Sequence, residues 1–246
     1  MGKDSDVIFG IHSVFEAVKS GKTVEKVFFL KSRILSPSLN SLRENLKDLK
    51  IPFSYVPIEK IKRLTKGNHQ GVVAKVSPVL FHDFEVLVNQ SLDADIPPIF
   101  LVLDQLTDVR NFGSLVRTSE CAGVTGIIIK SRGSAPITSD TIKTSSGAVF
   151  NVPIAKIDNL KDAVFYLQAS GIKVVATTEK ASQLIYDVNL SIPTAIVVGS
   201  EERGISPLIL KQADTIAKLP VAGKIESLNV AVAGGIILFE VLRQRL

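Results

Sequence analysis

The feature that most constrains the fold is a series of short, continuously apolar segments between residues 99 and 219. Each is as long as a β-strand and lacks the alternation of a half-exposed strand: 99–103, 126–129, 173–176, 195–198 and 215–219. Helical patterns lie between and after them, at residues 111–122, 140–145, 160–170, 207–211 and 228–243. Strands buried on both faces and joined by helices predict an α/β fold with a mainly parallel sheet.

Charge divides the chain into three segments. Residues 1–78 hold 14 Lys and Arg against 7 Asp and Glu, and their short helix and strand patterns predict a small α/β domain. Residues 79–98 hold four acids, no Lys or Arg, and Pro97-Pro98, which indicates an acidic linker with a short helix around residues 84–88. Residues 99–246 form the second predicted domain. The basic first domain favours a polyanionic partner such as nucleic acid, although a mildly basic housekeeping protein would show the same balance.

Composition excludes several classes of protein. One Cys excludes a disulfide framework and a Cys-based zinc site, and three His without an H-E-x-x-H motif make a metal site unexpected. The first ten residues show no targeting signal. The longest apolar run, residues 230–239, is about half of a membrane span. We therefore expect a cytoplasmic protein that binds neither metal nor membrane.

Three loops carry residues that suit chemistry. The first, residues 104–117, has Asn111 as a candidate helix N-cap and ends at Arg117. The second, G-S-E-E-R-G-I-S at residues 199–206, sets Glu201 between two glycines that allow a ligand to approach the backbone. The third, residues 219–229, leads into the last helix, which Ser227 or Asn229 could cap. Each loop also has a plain structural explanation, as a capped helix or a charged turn.

Together the three loops resemble the three motifs of the SpoU/TrmH branch of the SPOUT methyltransferases. N-F-G-S-L-V-R at 111–117 is similar to the first motif, V-G-S-E-E-R-G at 198–204 to the second, and L-P-V-A-G at 219–223 with S-L-N-V at 227–230 to the third. I-F-G-I-H-S-V-F-E-A-V at 8–18 and H-Q-G-V-V at 69–73 resemble the substrate-binding domain of RlmB-type ribosomal RNA methyltransferases.

This resemblance implies a parallel sheet with a deep C-terminal trefoil knot, and a small N-terminal α/β RNA-binding domain. It implies S-adenosylmethionine as cofactor and a homodimer whose active sites draw on both chains. The implied reaction is methylation of the ribose 2′-hydroxyl of a guanosine in large-subunit ribosomal RNA. Alternatives are the same chemistry on transfer RNA or another ribosomal site, and a non-catalytic RNA-binding ribosome assembly factor. The lack of a G-x-G-x-x-G fingerprint argues against a nucleotide-dependent oxidoreductase.

The resemblance also assigns residues. It implies that Arg117 is the catalytic arginine, either as the base or as a group that orients the substrate. The other catalytic positions that it implies are Asn111, Glu201, Ser227 and Asn229. The cofactor-binding positions that it implies are Thr177, Gly199, Glu201, Leu219 and Leu228. The basic residues that we predict to bind RNA are Lys60, Lys62, Arg63, Lys66, His69, Arg110 and Arg132, although a solvated helix face is the alternative explanation for the first four.

Overall fold

The computed structural model describes residues 7–19, 23–31, 36–224 and 227–246 of the chain. These residues form two compact units. The first unit runs to Leu80, and the second comprises nearly all of the chain from Phe81 onward.

The first unit is a four-stranded sheet with helices on both faces. Its strands are β1 (Val7–Phe9), β2 (Val24–Leu30), β3 (Phe53–Val56) and β4 (Val72–Val76), and its helices are α1 (Ile11–Lys19), α2 (Pro37–Asp48) and α3 (Ile58–Leu64). The strand order is β1-β4-β2-β3, in which β4 runs antiparallel to β1 and β2 while β2 and β3 are parallel. Helices α1 and α2 pack on one face over Val27 and Phe29, and α3 packs on the other face over Phe28 and Val73.

The second unit contains a seven-stranded parallel sheet within the described ranges, with the order β7-β6-β5-β10-β8-β11-β9. Its strands are β5 (Ile99–Leu103), β6 (Gly126–Lys130), β7 (Ile154–Ile157), β8 (Lys173–Thr177), β9 (Gln183–Leu184), β10 (Thr194–Val198) and β11 (Thr215–Lys218). Its helices are α4 (Phe84–Leu92), α5 (Val109–Cys121), α6 (Ser139–Thr144), α7 (Leu160–Ala169), α8 (Pro207–Gln212) and α9 (Val230–Arg245).

The structure confirms the predicted α/β fold with its mainly parallel sheet. All five predicted strands of the second domain are present, and the sheet gains β7 and the two-residue β9, which the sequence patterns did not indicate. Helix α4 lies inside the stretch predicted as a linker and packs Phe84 and Val88 into the core of the second unit. The trefoil knot stays a prediction.

Two helix starts test the predicted caps. The prediction that Asn111 caps its helix is wrong, because α5 begins two residues earlier and the side chain of Asp108 accepts the hydrogen bond of the Asn111 amide at 2.8 Å. Asp is as good an N-cap residue as Asn, so residue type alone could not decide between them. Asn229 does cap α9, and its Oδ1 accepts from the amides of Ala231 and Val232 at 3.0 and 3.3 Å.

Arg245, near the end of α9, binds two separate chain segments. Its guanidinium donates to the carbonyl oxygens of Pro97 and Pro98, which precede β5. It also donates to the carbonyl oxygens of Leu190 and Ile192, which precede β10, at 3.1 and 2.7 Å. Burial lowers the pKa of Arg245 from its usual value. The charged hydrogen bonds therefore hold the last helix against the start of two central strands.

Helices α5 and α9 pack closely at a glycine. A Cβ on Gly234 would lie 2.5 Å from Cδ2 of the buried Leu115, whereas a Cβ on Gly235 would come no nearer than 3.4 Å to Thr118. The space between the helices therefore requires Gly at position 234 and permits a larger residue at position 235.

We expect Gly234→Ala to have a lower free energy of unfolding than Gly235→Ala, by about 1–3 kcal/mol. Both substitutions gain the same helix propensity, so that gain cancels in the comparison. Urea denaturation of the two variants measures the difference. Equal stability would contradict the close packing of Leu115 on position 234.

No helix in the described ranges is both long enough and apolar enough to cross a membrane. The same residues contain no group of three or more His, Cys, Asp and Glu side chains that could hold a metal ion.

Candidate active site

A cavity of about 330 Å³ lies at the carboxyl ends of the parallel strands β8, β10 and β11. Its walls come from the loops that follow these strands and from the first turns of α9. Its lining combines apolar residues such as Leu219, Leu228 and Ile237 with polar ones such as Glu201 and Ser227. In open α/β sheets ligands bind at this edge, so the topology itself identifies the cavity as the candidate site.

The loop after β10 folds back on itself through its two glycines. The amide of Gly204 donates to the carbonyl oxygen of Ser200 at 2.8 Å, and the amide of Arg203 donates to the Ser200 hydroxyl at 3.1 Å. A Cβ on Gly199 would lie 2.1 Å from the carbonyl carbon of Gly204. Only Gly at position 199 allows this close approach, which closes the turn that carries Glu201.

Asp104 fixes the other end of this loop. It directly follows β5 and is only 4% exposed, and its Oδ2 accepts the hydrogen bond of the Ser206 amide at 2.7 Å. Strand β5 pairs with β10, so the carboxylate stands beside the loop that leaves β10. Asp104 therefore positions the loop without lining the cavity.

We expect Asp104→Ala to lower the free energy of unfolding by about 1–3 kcal/mol, because the partly buried Ser206 amide loses its acceptor. Trypsin should also cleave faster after the exposed Arg203 within this loop. The matched control is Asp104→Asn, which keeps an acceptor oxygen and should stay close to the wild type in both measurements. An alanine variant as stable and as resistant to trypsin as the wild type would exclude this anchoring role.

Three side chains from distant parts of the chain meet at one carboxylate oxygen. Glu201 Oε1 accepts from Asn111 Nδ2 at 3.1 Å, from Asn229 Nδ2, and from the Val230 amide at 3.3 Å. Asn229 Nδ2 also donates to Asn111 Oδ1 at 3.0 Å. This polar cluster of Asn111, Glu201 and Asn229 joins α5, the loop after β10 and the start of α9.

The structure brings all the predicted cofactor-binding positions together. Thr177, Gly199, Glu201, Leu219 and Leu228 line the cavity, as does Ser227. The hydroxyl of Thr177 donates to the carbonyl oxygen of Val197 at 2.9 Å, so this side chain ties β8 to β10 at the cavity wall. Whether each residue binds a cofactor stays a prediction.

Arg117 lies apart from the cavity. It is exposed on α5 and is not among the residues that line the cavity, although Asn111 of the same helix belongs to the polar cluster. Six residues along a helix correspond to about 240° of rotation, so the two side chains leave α5 in different directions. Within the described part of the chain, no hydrogen bond or ion pair engages the guanidinium.

The predicted RNA-binding residues fall in both units. Lys60, Lys62 and Arg63 are exposed on α3, and Lys66 is exposed just after it. His69 is half-buried, and its Nδ1 accepts the hydrogen bond of the Gly71 amide at 3.0 Å. In the second unit, Arg110 is exposed on α5 and Arg132 is exposed after β6.

Sequence reasoning missed Asp104 and Asp108, which support the loops from outside the cavity, and Glu179 and Lys180, which line it. Signals for all four were present. Asp104 directly follows an apolar strand, Asp108 precedes Asn111 by the spacing of a helix cap, and Glu179 and Lys180 follow Thr177 at the end of β8.

Two family models and several known proteins are similar to this chain in sequence. A family model described as SpoU rRNA Methylase matches residues 98–239, and one described as RNA 2′-O ribose methyltransferase substrate binding matches residues 7–81. The chain is 33% identical over 245 residues to YacO of Bacillus subtilis, a protein named as a TrmH family tRNA/rRNA methyltransferase, and covers 98% of it. A Staphylococcus aureus protein of the same description is 34% identical over 242 residues and 97% covered.

Solved structures show the same fold. The AdoMet-bound rRNA methyltransferase from Sinorhizobium meliloti superposes with a TM-score of 0.62 at 26% identity, over 99% of this chain and 88% of that one. The SpoU methyltransferase AviRb from Streptomyces viridochromogenes gives a TM-score of 0.62 at 23% identity, over 98% of this chain and 89% of that one.

Proposed function

The chain belongs to the SpoU rRNA methylase family and is an S-adenosylmethionine-dependent RNA methyltransferase. From this premise we propose that it methylates the ribose 2′-hydroxyl of a guanosine in large-subunit ribosomal RNA. The observation that carries the proposal is the polar cluster of Asn111, Glu201 and Asn229 at the wall of the cavity at the strand ends. A cavity for a small cofactor thus adjoins polar groups that can orient a second substrate.

The cavity fits S-adenosylmethionine in its chemistry. Its carboxylates, from Glu179, Glu201 and Glu202, suit a ligand that carries a positive sulfonium, and its apolar walls suit an adenine ring. Gly199 lies in the cavity wall, and its close packing on the Gly204 backbone fixes the loop that borders the ligand. Gly199, Leu219 and Leu228 would hold the cofactor, with Thr177 at its border. When bound, the cofactor supplies an electrophilic methyl group.

The chain's own residues must align the ribose oxygen and manage one proton. The three hydrogen bonds to Glu201 Oε1 fix this carboxylate, and with it Asn111 and Asn229, before substrate binds. Ser227, exposed at the cavity wall, can contact the substrate. Arg117 either orients a substrate phosphate and stabilises the developing alkoxide while water takes the 2′-hydroxyl proton, or, in its neutral form, accepts that proton itself.

The large-subunit substrate is the finer part of the proposal. It is supported by the first unit, because residues 7–81 match the substrate-binding family model and the motifs in residues 8–18 and 69–73 resemble RlmB-type enzymes. The relatives are named for both tRNA and rRNA, so transfer RNA is the alternative that an experiment must separate.

A homodimer in the cytoplasm completes the proposal. Helix α9 exposes an apolar stripe at positions 232, 236 and 239, where Val232, Ile236 and Phe239 are 51%, 39% and 48% exposed. These residues recur at the helical repeat and so share one face, which a second copy of this chain would cover. Helix α5, which carries Arg117, packs beside α9, so a dimer formed there can bring Arg117 toward the partner's cavity. Sedimentation velocity measures the oligomeric state directly.

The decisive experiment is transfer of tritium-labelled methyl from S-adenosylmethionine to unmodified large-subunit ribosomal RNA and transfer RNA, assayed in parallel. The labelled position is then mapped. We expect label on a guanosine 2′-oxygen in the ribosomal RNA alone. Label in transfer RNA alone would contradict the proposed ribosomal RNA substrate but would be consistent with the proposed methyl-transfer reaction. Label in neither RNA, with calorimetry that detects no cofactor binding, would favour a non-catalytic RNA-binding protein.

A further inference from the structure

One face of the sheet in the first unit carries an unusual set of side chains. In the described part of this unit, the only helix on this face is the seven-residue α3, which packs on Phe28 of β2 and Val73 of β4. Side chains two residues apart on a strand share a face. Lys26 in β2 and Lys75 in β4 therefore lie on the same face as Phe28 and Val73.

Three lysines converge on this face. Lys26 and Lys75 stand directly opposite each other in the register of β2 and β4. The Nζ atoms of Lys26 and Lys60 each lie 5.5 Å from the centre of the Phe28 ring, one reaching it from β2 and the other from α3. Among the described residues, no carboxylate forms an ion pair with any of the three.

This arrangement opposes stability. Like charges placed directly opposite across two strands repel each other, and no ion pair within the described residues offsets this repulsion. Two cations near one ring are held by the ring's π face, which keeps both ammonium groups on the same side of the sheet. A fold that keeps such repulsion offers a binding site for a ligand with several negative charges.

An exposed aromatic ring lies on the same face. Phe9 of the edge strand β1 pairs with Val73 and is 38% exposed. Its ring lies against Gly67, where a Cβ would stand 2.4 Å from a ring carbon, and so lies beside the basic segment that contains Lys66. A partly exposed ring next to lysines can stack on an unpaired base while the lysines contact phosphates.

We propose that this face of the first unit, formed by Lys26, Lys60, Lys75 and Phe9, is an RNA-binding surface. The three lysines contact backbone phosphates, and the Phe9 ring stacks on an unpaired base. The proposal rests on the proposed function in taking RNA as the substrate, and it adds the surface that holds that RNA. Phosphate contacts supply affinity, and stacking favours single-stranded or looped RNA over a regular duplex.

The test uses the full-length chain with the lysines replaced together, as Lys26→Gln, Lys60→Gln and Lys75→Gln. The matched control removes the same charge from the opposite side of the sheet, with Lys19→Gln, Lys47→Gln and Lys50→Gln, whose residues are exposed on α1, on α2 and just after α2. Fluorescence anisotropy measures affinity for a large-subunit ribosomal RNA fragment over a range of salt concentrations. Thermal denaturation confirms that both variants fold.

We expect the slope of log affinity against log salt to decrease by about three in the first variant, which is about one for each lysine lost, and by less than about one in the control. Phe9→Ala should weaken binding at least about fivefold with an unchanged salt slope, because stacking involves no ion release. Phe9→Tyr keeps the ring and should bind like the wild type. Wild-type binding by Phe9→Tyr shows that the aromatic ring at position 9 is what binding requires.

Two results would overturn the proposal: equal decreases in slope for both lysine variants, which would indicate net charge alone, or wild-type binding by the first variant. Binding is measured without methyl transfer, so the two proposals can fail separately. If the first lysine variant methylates RNA and binds it with unchanged affinity, the proposed reaction stands and the proposed RNA-binding surface is excluded. If the salt slopes change as predicted but the wild-type protein methylates no RNA, the RNA-binding surface stands and the proposed reaction is excluded.

Discussion

Arg117→Ala is expected to lower the rate of methyl transfer by about a hundredfold or more, and to leave the affinity for S-adenosylmethionine unchanged. The expected loss is the size seen when a general base or an alkoxide-stabilising group is removed. Affinity should be preserved because Arg117 lies outside the cavity wall, on the exposed side of α5. Single-turnover methyl transfer measures the rate, and calorimetry measures the affinity. A rate within about threefold of the wild type would exclude Arg117 from the reaction.

Arg117→Lys distinguishes the two roles open to this residue. A guanidinium stays protonated at working pH, whereas a lysine amine can titrate closer to neutrality when its surroundings favour the neutral form. If position 117 takes the proton, the rate of the lysine variant should rise with pH through a new ionisation. If position 117 only orients the substrate, the rate should be reduced by the same factor across the pH range.

Gly199→Ala is expected to weaken S-adenosylmethionine binding by about tenfold to a hundredfold and to reduce methyl transfer with it. The added Cβ would meet the backbone of the same loop, 2.1 Å from the Gly204 carbonyl carbon and 2.3 Å from the Ile205 nitrogen. Backbone atoms cannot move aside as a flexible side chain can. The loop must therefore open and shift Glu201 away from Asn111 and Asn229.

Calorimetry with S-adenosylmethionine measures this effect, and Gly235→Ala is the control. It adds the same methyl group within the second unit, at a position outside the cavity where the Cβ has room. We expect the control to bind the cofactor like the wild type. Undiminished binding by Gly199→Ala would mean that the loop tolerates rearrangement and that its geometry does not form the cofactor site.

Mixing the two variants tests the proposed homodimer. If Arg117 of one protomer serves the cavity of its partner, a mixed dimer of Arg117→Ala and Gly199→Ala contains one site with neither defect. Activity should then rise on mixing above that of either variant alone. If Arg117 serves its own cavity, every site carries a defect and mixing restores nothing.

Much of the second unit could be predicted from the sequence because its strands are continuously apolar. Ile99–Leu103 is buried at every position and was predicted with the same bounds. Strand β7, at Ile154–Ile157, was missed because a four-residue segment that contains Lys156 has too little apolar periodicity to identify. Strand β9 consists of two residues paired with β11, and only the tertiary structure defines it.

The candidate site was predictable where motifs carry it. The five cofactor positions lie at the ends of β8, β10 and β11 or in the segments after them, and they line one cavity because the carboxyl ends of parallel strands meet at one edge. The supporting residues were harder to predict from the sequence, since Asp104 acts on the backbone amide of a residue 102 positions away. The exposure of Phe9 follows from its place on an edge strand, which leaves its ring only partly covered.

Strand β10 lies between β5 and β8 although it follows both in the chain. Both sheet neighbours of β8, namely β10 and β11, are synthesised after it. During synthesis β5, β6 and β7 can therefore pair early, while the apolar β8 has no neighbouring strand to pair with until β10 or β11 has been made. Pairing of Thr194 with Ile99 must close a long loop, which slows folding. The unit should thus depend on chaperones that shield unpaired strand edges until the central strand is inserted.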